Sequence, residues 1–333
     1  MEAKTVTPQH RNTEVLDNPN NPSNTSNTTN PSNPINPINP FMLSYVLITP
    51  ARNEAMFIEQ TIKSVVSQTV RPVKWVVVSD GSTDATDDII KRYADQHTWI
   101  ELVRMPERQE RHFAGKVYAF NEGNTKVKNL DYDIIGNLDA DISFGEDHFE
   151  FLLKQFANNQ KLGVAGTPFK EGNNSYDYRF TNIEHVSGAC QLFRRECFEE
   201  IGGYVPLKVG GIDLVAVLTA RMKGWQTKTF TEKTCVHHKK TQAGKHSNLT
   251  ATFKSGYHDY LMGGYPIWQI FRSVYQMTGK PFVIGGSALC AGYFWAMLKR
   301  AERPVSRELV EFRRKEQMSR LKNFFKNIIS LQG

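Results

Sequence analysis

The feature that most constrains the fold is an alternation of short apolar runs with helically spaced apolar residues, which starts near residue 44. Between the first two runs, apolar residues recur at helical spacing from Ala55 to Val66, behind Asn53 as a possible cap. The predicted strands are YVLIT (45–49), WVVVS (75–79), IELVRM (100–105) and DIIGNL (133–138). Apolar strands that alternate with helices indicate an α/β fold with a parallel sheet covered by helices on both faces.

The N-terminal segment has a different composition from the rest of the chain. Overall, the 333 residues are 40% hydrophobic, which is ordinary for a globular protein. Residues 17–40 are mainly Asn, Pro, Ser and Thr, and they cannot bury enough apolar surface to offset the entropy lost on ordering. We therefore predict a disordered tail over residues 1–40. The four cysteines show no CxxC spacing and the N-terminus shows no signal peptide, so we expect reduced thiols in a cytosolic protein.

Asp80 stands at the end of the second predicted strand, in the sequence VVVSDGSTDAT. Ligands of an open parallel sheet bind outside the carboxyl ends of the strands, so a carboxylate here can accept hydrogen bonds from ribose hydroxyls or a base N–H group. Gly81 permits a tight turn, and one of the polar residues at 82–84 can cap the next helix. An Asp that only closes an Asx turn is the alternative.

Asp139 and Asp141 follow directly on the predicted strand at 133–138. Residues two apart in an extended chain point to the same side. Two carboxylates at this edge can hold a hard divalent cation, Mn or Mg, which takes further ligands from substrate phosphates. A polar loop with two solvated acids is the alternative, but the position after a buried strand and downstream of Asp80 favours a metal site.

Five motifs, in this order, resemble those of family 2 glycosyltransferases: ITPARNEAMFIEQTIKSVVSQT, VVVSDGSTDAT, GKVYAFNEG, NLDAD and VSGACQLFRRECFEEIGGY. The resemblance covers residues 44–240. It implies a GT-A fold, in which a nucleotide-binding sheet merges with an acceptor-binding half. It also implies transfer of a sugar from a nucleotide-diphosphate sugar to an acceptor hydroxyl, with inversion at the anomeric carbon. We accordingly expect a GT-A catalytic domain over 41–250 and a helical, membrane-associated region over 251–333.

The resemblance implies roles for individual residues. Asp80 corresponds to a nucleoside-binding aspartate. Asp139 and Asp141 correspond to the metal and diphosphate motif, with Asp141 favoured as the direct ligand. Gly188 and Ala189 correspond to the segment that lines the acceptor site. The implied nucleotide-binding positions are Pro50, Arg52, Glu54, Asp80, Asp139 and Lys116, the last with Arg111 nearby.

The resemblance implies that Asp213, in KVGGIDLVAVLTARMKGW, is the general base. Ile212 stands where the family often has a Glu. Gly210 and Gly211 give the segment a mobile approach, and the N-terminus of the following helix keeps the carboxylate ionised. An ordinary N-cap aspartate is the alternative.

Two histidines in CVHHKK follow the predicted strand TKTFTE. His237 or His238 could complete the metal shell or contact the diphosphate, as a histidine at this place does in enzymes of the family. Imidazole suits manganese better than magnesium. The alternative is a pair of partly exposed histidines in a basic loop. The neighbouring Lys239, Lys240 and Lys245 could instead neutralise the leaving diphosphate.

The C-terminal third contains an uncharged stretch of 18 residues, 281–298, which lies at the threshold for a membrane-spanning helix. Basic residues flank both of its ends, so a single span would oppose the positive-inside tendency. Residues 299–326 contain ten Lys or Arg and four Glu, with an apolar stripe at helical spacing. We predict a monotopic or peripheral protein at the cytoplasmic face of the membrane; a buried core helix at 281–298 is the alternative. The stripe comprises Met318, Leu321, Phe325 and Ile328.

The net charge of +7 does not indicate a nucleic-acid partner, because the basic residues concentrate beside the apolar segment and not on an aromatic platform. The expected partners are a nucleotide-sugar donor, a glycan or lipid-linked acceptor and the membrane surface, and the expected product is a lipid-linked or surface polysaccharide. A sugar nucleotidyltransferase would need a Gly-rich basic loop, which TPARNEAMF lacks. A catalytically weak membrane-associated scaffold is the other alternative, and the intact acidic motifs argue against it.

Overall fold

The computed structural model describes residues 43–107, 113–172, 174–175, 182–239, 248–278 and 282–330, without the side chains of 174, 175, 248 and 327–330. The predicted disordered tail therefore lies outside the described residues. The same holds for three basic residues named above, Arg111, Lys240 and Lys245, and for the side chain of Ile328.

Strands and helices alternate through the first half of the described chain, as the apolar pattern predicted. The strands are β1 (Tyr45–Ala51), β2 (Lys74–Asp80), β3 (Ile100–Met105), β4 (Ile134–Leu138), β5 (Ile142–Ser143), β6 (Leu162–Gly166), β7 (Phe169–Glu171), β8 (Asn174–Ser175), β9 (Cys190–Arg194), β10 (Gln226–Thr229) and β11 (Cys235–His237). The helices are α1 (Ile58–Val66), α2 (Thr86–Ala94), α3 (Ala114–Val127), α4 (His148–Asn158), α5 (Arg195–Glu200), α6 (Ile212–Met222), α7 (Asn248–Leu261), α8 (Pro266–Met277), α9 (Ile284–Leu298) and α10 (Arg307–Ser330).

The main sheet has seven strands in the order β10-β6-β9-β4-β1-β2-β3. The four predicted strands form β1 to β4 and pair in parallel, but β9 lies antiparallel between β4 and β6. The sheet is therefore mixed, where the alternation predicted a parallel one. Because Cys190 at the start of β9 pairs with Leu138 at the end of β4, β9 brings Gly188 and Ala189 to the edge where β1, β2 and β4 end.

Helices cover both faces of the sheet, as predicted. Successive residues of β1 alternate between two buried clusters, because neighbouring side chains of a strand point to opposite faces. Helices α1, α2 and α4 cover one face, and α3 and α6 cover the other together with residues of α7, α9 and α10. The rigid sheet between these layers fixes the strand ends that carry the predicted site.

The second sheet is small and holds the histidine motif beside the acidic motif. It has the order β5-β11-β7-β8, and its strand β11 pairs antiparallel with β5 so that His237 lies opposite Ile142. The four cysteines are free thiols, and three of them are buried. Two of these, Cys190 and Cys235, each lie 3.8 Å from Nε2 of His148 beneath the site.

The C-terminal helices pack through glycines. A Cβ atom added to Gly256 of α7 would lie 1.9 Å from the carbonyl oxygen of Leu289, and one added to Gly292 of α9 would lie 2.0 Å from that of Phe253. Helices α7 and α9 therefore cross with their backbones in contact. None of the helices in the described ranges is both long and apolar enough to cross a bilayer. The domain boundary at 250 and the membrane association stay predictions.

Candidate active site

Asp80 lies at the end of β2, where the sequence predicted a nucleoside-binding carboxylate. Its side chain is buried, and Nη1 of Arg52 lies 3.8 Å from its Oδ2 atom. Pro50, the second-last residue of β1, lies at the same edge of the sheet. Gly81 has φ of +65°, and a Cβ there would lie 2.5 Å from the Cα of Glu107, so the turn after Asp80 requires glycine.

Asn53 joins two loops of this edge and does not cap a helix. Helix α1 begins at Ile58, and Asn53 itself has a left-handed φ of 54°. Its Oδ1 atom accepts a hydrogen bond from the N–H group of Thr83 at 2.8 Å. The capping role predicted for Asn53 is therefore wrong. On the second loop, Oδ1 of Asp84 accepts from the N–H group of Thr86 at the start of α2, at 3.0 Å.

The two aspartates after β4 have different partners, because Asp139 pairs with Lys116 and Asp141 faces His237. Asp141 is 7% exposed, and Nε2 of His237 lies 3.5 Å from its Oδ2 atom. Burial, followed by the charges of Asp139 and Glu54, raises the pKa of Asp141 to about 6 although His237 opposes the shift. A carboxylate whose ionisation is opposed in this way is stabilised by a bound cation.

The two histidines of the CVHHKK motif point to different groups. His237 faces Asp141 and packs on the ring of Phe169 at 5.3 Å, whereas Nε2 of His238 lies 2.8 Å from the hydroxyl oxygen of Ser143. Burial and the neighbouring His237 lower the pKa of His238. Of these two residues, His237 is therefore the one placed to share a cation with the aspartates.

The carboxylates of Asp139 and Asp141 and the imidazole of His237 are ligand types that Mn or Mg accept. Their ligand atoms are not gathered around one point; among the described residues, the three potential ligands that are gathered in this way are His148, Cys190 and Cys235. In the described part of the chain, Oε2 of Glu54 and Nδ1 of His237 are buried without a hydrogen-bond partner. The other carboxylate oxygen of Glu54, Oε1, pairs with Lys239. The site thus combines a carboxylate, Asp141, whose ionisation is disfavoured, with buried polar atoms that have no hydrogen-bond partner among the described residues.

Gly188 connects the two walls of the site. Lys116 pairs with Asp139 and also donates to the carbonyl oxygen of Gly188 at 3.3 Å. The side-chain amide of Asn137 donates to the same oxygen at 2.6 Å. On the other side, the N–H group of Gly188 donates to Oδ2 of Asp213 at 3.1 Å.

Asp213 is the second residue of α6 and not its N-cap. Gly211 occupies the cap position with a left-handed φ of 82°, and no side chain caps this helix. The N-cap alternative for Asp213 is therefore wrong. The glycine turn and the start of the helix direct its carboxylate to Gly188 and to the cavity described next.

A cavity of about 440 Å³ lies between the Lys116–Asp139 pair and Asp213. Six of the predicted site residues line it. Asp141 does not, and neither do the residues predicted to contact the nucleoside, which are Pro50, Arg52, Glu54 and Asp80. Those six are Lys116, Asp139, Gly188, Ala189, Asp213 and His237. A larger cavity of about 620 Å³, beside Arg221 and Glu316, contains none of the predicted residues. The smaller cavity is therefore the candidate active site.

Sequence reasoning missed several groups around Asp213. Burial lowers the pKa of His185, and the charge of Asp213 opposes that shift. Tyr204 lines the cavity, and its hydroxyl donates to Oε1 of Gln191 at 2.6 Å. Phe113 lines the mouth and is 64% exposed. These residues have no helical or strand spacing relative to the acidic motifs, so only the folded chain brings them together.

Solved structures with a similar fold bind nucleotide sugars. A mannosyltransferase from Pyrobaculum calidifontis, in complex with GDP-Man and Mn²⁺, is 20% identical with a TM-score of 0.52, over 81% of this chain and 78% of that one. TarS residues 1–349 from S. aureus, in complex with UDP-GlcNAc, is 12% identical with a TM-score of 0.50, over the same shares of the two chains. These likenesses show an α/β fold of the GT-A type.

Curated relatives are similar over part of their length. The poly-β-1,6-N-acetyl-D-glucosamine synthase of Staphylococcus epidermidis is 26% identical over 170 residues, which cover 45% of this chain and 39% of that protein. The synthase of Staphylococcus aureus is 29% identical over 136 residues, which cover 40% of this chain and 31% of that protein. The match thus spans well under half of these relatives.

The fold, the relatives and the acidic edge of the sheet are similar to those of glycosyltransferases. More particularly, the family model "Glycosyl transferase family 2" matches residues 46–185, so this part of the chain is similar to the family that its motifs resembled. The matched range contains the nucleoside and acidic motifs, and it ends before Gly188 and Asp213.

Proposed function

We propose that this protein is an inverting glycosyltransferase that moves a sugar from a nucleotide-diphosphate sugar to an acceptor hydroxyl, with Asp213 as the general base. The observation that carries the proposal is the cavity of about 440 Å³, which Asp213 lines on one wall and the Lys116–Asp139 pair on the other. A donor held by the strand ends would present its anomeric carbon between a basic group and a carboxylate.

The proposed donor side consists of charged residues at and near the strand ends. Asp80, with Arg52 beside it, is placed to accept hydrogen bonds from the nucleoside. Lys116 and Lys239 are placed to neutralise the diphosphate, since both lie among the acids of the site. A cation bound by Asp141, Asp139 and His237 would stabilise the charge that develops on the leaving oxygen.

The acceptor side provides the proton acceptor. The carboxylate of Asp213 accepts one hydrogen bond, from Gly188, at its Oδ2 atom. Asp213 can therefore take the proton of the attacking hydroxyl as the new bond to the anomeric carbon forms, which inverts that centre in a single displacement.

The acceptor is proposed to be a glycan or a lipid-linked saccharide, in the synthesis of a lipid-linked or surface polysaccharide. Support comes from the relatives named poly-β-1,6-N-acetyl-D-glucosamine synthase, which match 40–45% of this chain. Gly188 and Ala189 would line the acceptor side, because both face the cavity next to Asp213.

The test is release of nucleoside diphosphate from a panel of UDP and GDP sugars in the presence of manganese, with NMR of the product to read the anomeric configuration. Asp213→Asn should lower kcat by about 10²–10⁴-fold and change donor affinity little, because it removes the proton acceptor without changing the shape of the site. A loss of less than about tenfold would show that another group is the base.

The catalytically weak scaffold makes the opposite prediction in the same assay. It would bind donor and release no nucleoside diphosphate with any acceptor, and Asp213→Asn would then change nothing. Asp133→Asn is a matched control, because Asp133 binds Ser44 at the opposite end of β4 and should leave kcat unchanged.

A further inference from the structure

Helix α8 has buried polar side chains and exposed branched apolar ones, the reverse of an amphipathic helix that packs on the core of a water-soluble protein. Its inward face carries Gln269 and Ser273, which are 0% and 1% exposed. Its outward face carries Ile267, Ile270 and Val274, at a spacing of three and four residues, and these are 48–56% exposed. Burying polar groups while exposing branched apolar ones is unfavourable in water, so this face is built to contact something apolar.

Two neighbouring helix ends extend the exposed apolar face. Phe282, Val283 and Ile284 at the start of α9 are each more than half exposed, and the N–H group of Val283 donates to the carbonyl oxygen of Met277 at the end of α8, at 3.1 Å. We call the following set the apolar patch: Ile267, Ile270, Val274 and Tyr275 of α8, Phe282, Val283 and Ile284, and Phe324 and Phe325 of α10.

The end of α10 joins the apolar patch through aromatic contacts. The ring of Phe271, on α8, lies 5.0 Å from the ring of Phe324 and 6.1 Å from that of Phe325. Both of these α10 residues are 44–50% exposed. The apolar patch therefore extends over α8, the start of α9 and the end of α10.

Basic side chains lie beside the apolar patch. The sequence contains no Asp or Glu from residue 260 to 301 and none after Glu316. Exposed Lys322 and Lys326 flank the two phenylalanines of α10, whereas Arg272, exposed on α8, lies 3.6 Å from the buried carboxylate of Asp259. At the far end of α9, Nζ of Lys299 lies 5.0 Å from the ring of Trp295. A surface with apolar and aromatic groups and with basic side chains beside them complements an anionic lipid headgroup layer.

We propose that the apolar patch is a membrane-docking face, which enters the headgroup region of a bilayer that contains anionic phospholipid and holds the protein without a span. This surface differs from the one expected from the sequence. One side of α9 is packed against α7 and α8, through Gly292 and Gly286, and Leu321 of the α10 stripe is buried. The outward face of α8, which the sequence did not single out, takes the central place.

The test uses the purified full chain and flotation with phosphatidylcholine vesicles, with and without phosphatidylglycerol. The variant carries Ile270→Glu and Val274→Glu together; both side chains are half exposed, so folding should persist and can be checked by thermal melting. Val73→Glu is the matched control, since Val73 is 47% exposed before β2, outside the apolar patch. A second variant, Lys322→Gln with Lys326→Gln, tests the basic rim.

The parental chain and Val73→Glu should float with anionic vesicles, and the double Glu variant should bind them at least about tenfold more weakly. The double Gln variant should lose most of its preference for phosphatidylglycerol. The proposal is overturned if the parental chain ignores both vesicles or if the double Glu variant binds as tightly. It is also overturned if that variant only dissolves a dimer seen by ultracentrifugation. Because the readout is flotation and not turnover, it does not depend on the proposed activity.

Discussion

The strand-end half of the molecule and its C-terminal helices use apolar residues in opposite ways. In β1, β2 and β4 the apolar residues are buried, and the polar chemistry lies where the strands end. In α8 the polar residues Gln269 and Ser273 are buried, and the apolar residues Ile267, Ile270 and Val274 are about half exposed. The comparison teaches that an apolar pattern identifies residues that avoid water, whereas the rest of the fold decides whether protein or another apolar phase covers them.

The largest expected effect tests whether helices α7 and α9 pack with their backbones in contact. Gly292→Ala should lower the free energy of unfolding by about 4 kcal/mol, because its Cβ would lie 2.0 Å from the carbonyl oxygen of Phe253. In an open helix the same change would stabilise by about 1 kcal/mol. Gly145→Ala is the control, because its nearest neighbour is 3.8 Å away. Urea denaturation measures both, and equal values would mean that α7 and α9 do not touch.

The next effect concerns the strand-end acids. The pKa of Asp141 in the folded protein, about 6, is raised above its ordinary 3.8. The metal-free protein is therefore most stable below about pH 4 with respect to this group, and it loses stability as pH rises through about 6.

Asp141→Asn removes that ionisation. In chelator it should raise the free energy of unfolding by about 3 kcal/mol at neutral pH, and the difference should vanish near pH 4. The same variant should lose metal-dependent turnover. A stability gain that is equal at both pH values would show that the surroundings of Asp141 do not disfavour its ionised form.

The smallest effect tests the inward face of α8. Gln269→Met keeps the volume and removes two weak hydrogen bonds from Nε2, to the carbonyl oxygen of Leu289 and to the hydroxyl of Ser273, both at 3.3 Å. It also removes a buried Oε1 atom that has no partner among the described residues. These terms oppose each other, so the free energy of unfolding should change by no more than about 1 kcal/mol. A loss above about 3 kcal/mol would mean that the amide is essential to the packing of α8 on α9.

The sequence predicted the strand-end chemistry because local signals coincide there. Asp80 and Asp139 follow apolar runs directly, and both lie at the predicted edge. The antiparallel direction of β9 was not predictable, since CQLFR has the same apolar character whichever way it runs. Asn53 was misassigned because a polar residue before a helical pattern can serve either a helix or a second loop.

The orientation of α8 lies beyond sequence reasoning for a geometric reason. Helical periodicity shows that Ile267, Ile270 and Val274 share a face, but not whether that face turns inward. Likewise, His185 comes close enough for the charge of Asp213 to act on its pKa only after α6 packs on the sheet. The family resemblance supplied the role of Asp213, and the structure supplies its contact with Gly188.

Gly188 has a kinetic consequence. Its carbonyl oxygen is held from the donor wall by Lys116 and Asn137, and its N–H group holds the carboxylate of Asp213 on the acceptor wall. The backbone of one glycine thus connects the Lys116–Asp139 side of the cavity with Asp213, the base that we propose. With Asp213 in that role, this connection suits a compulsory order of addition, in which the donor enters first and orients the base for the hydroxyl that follows.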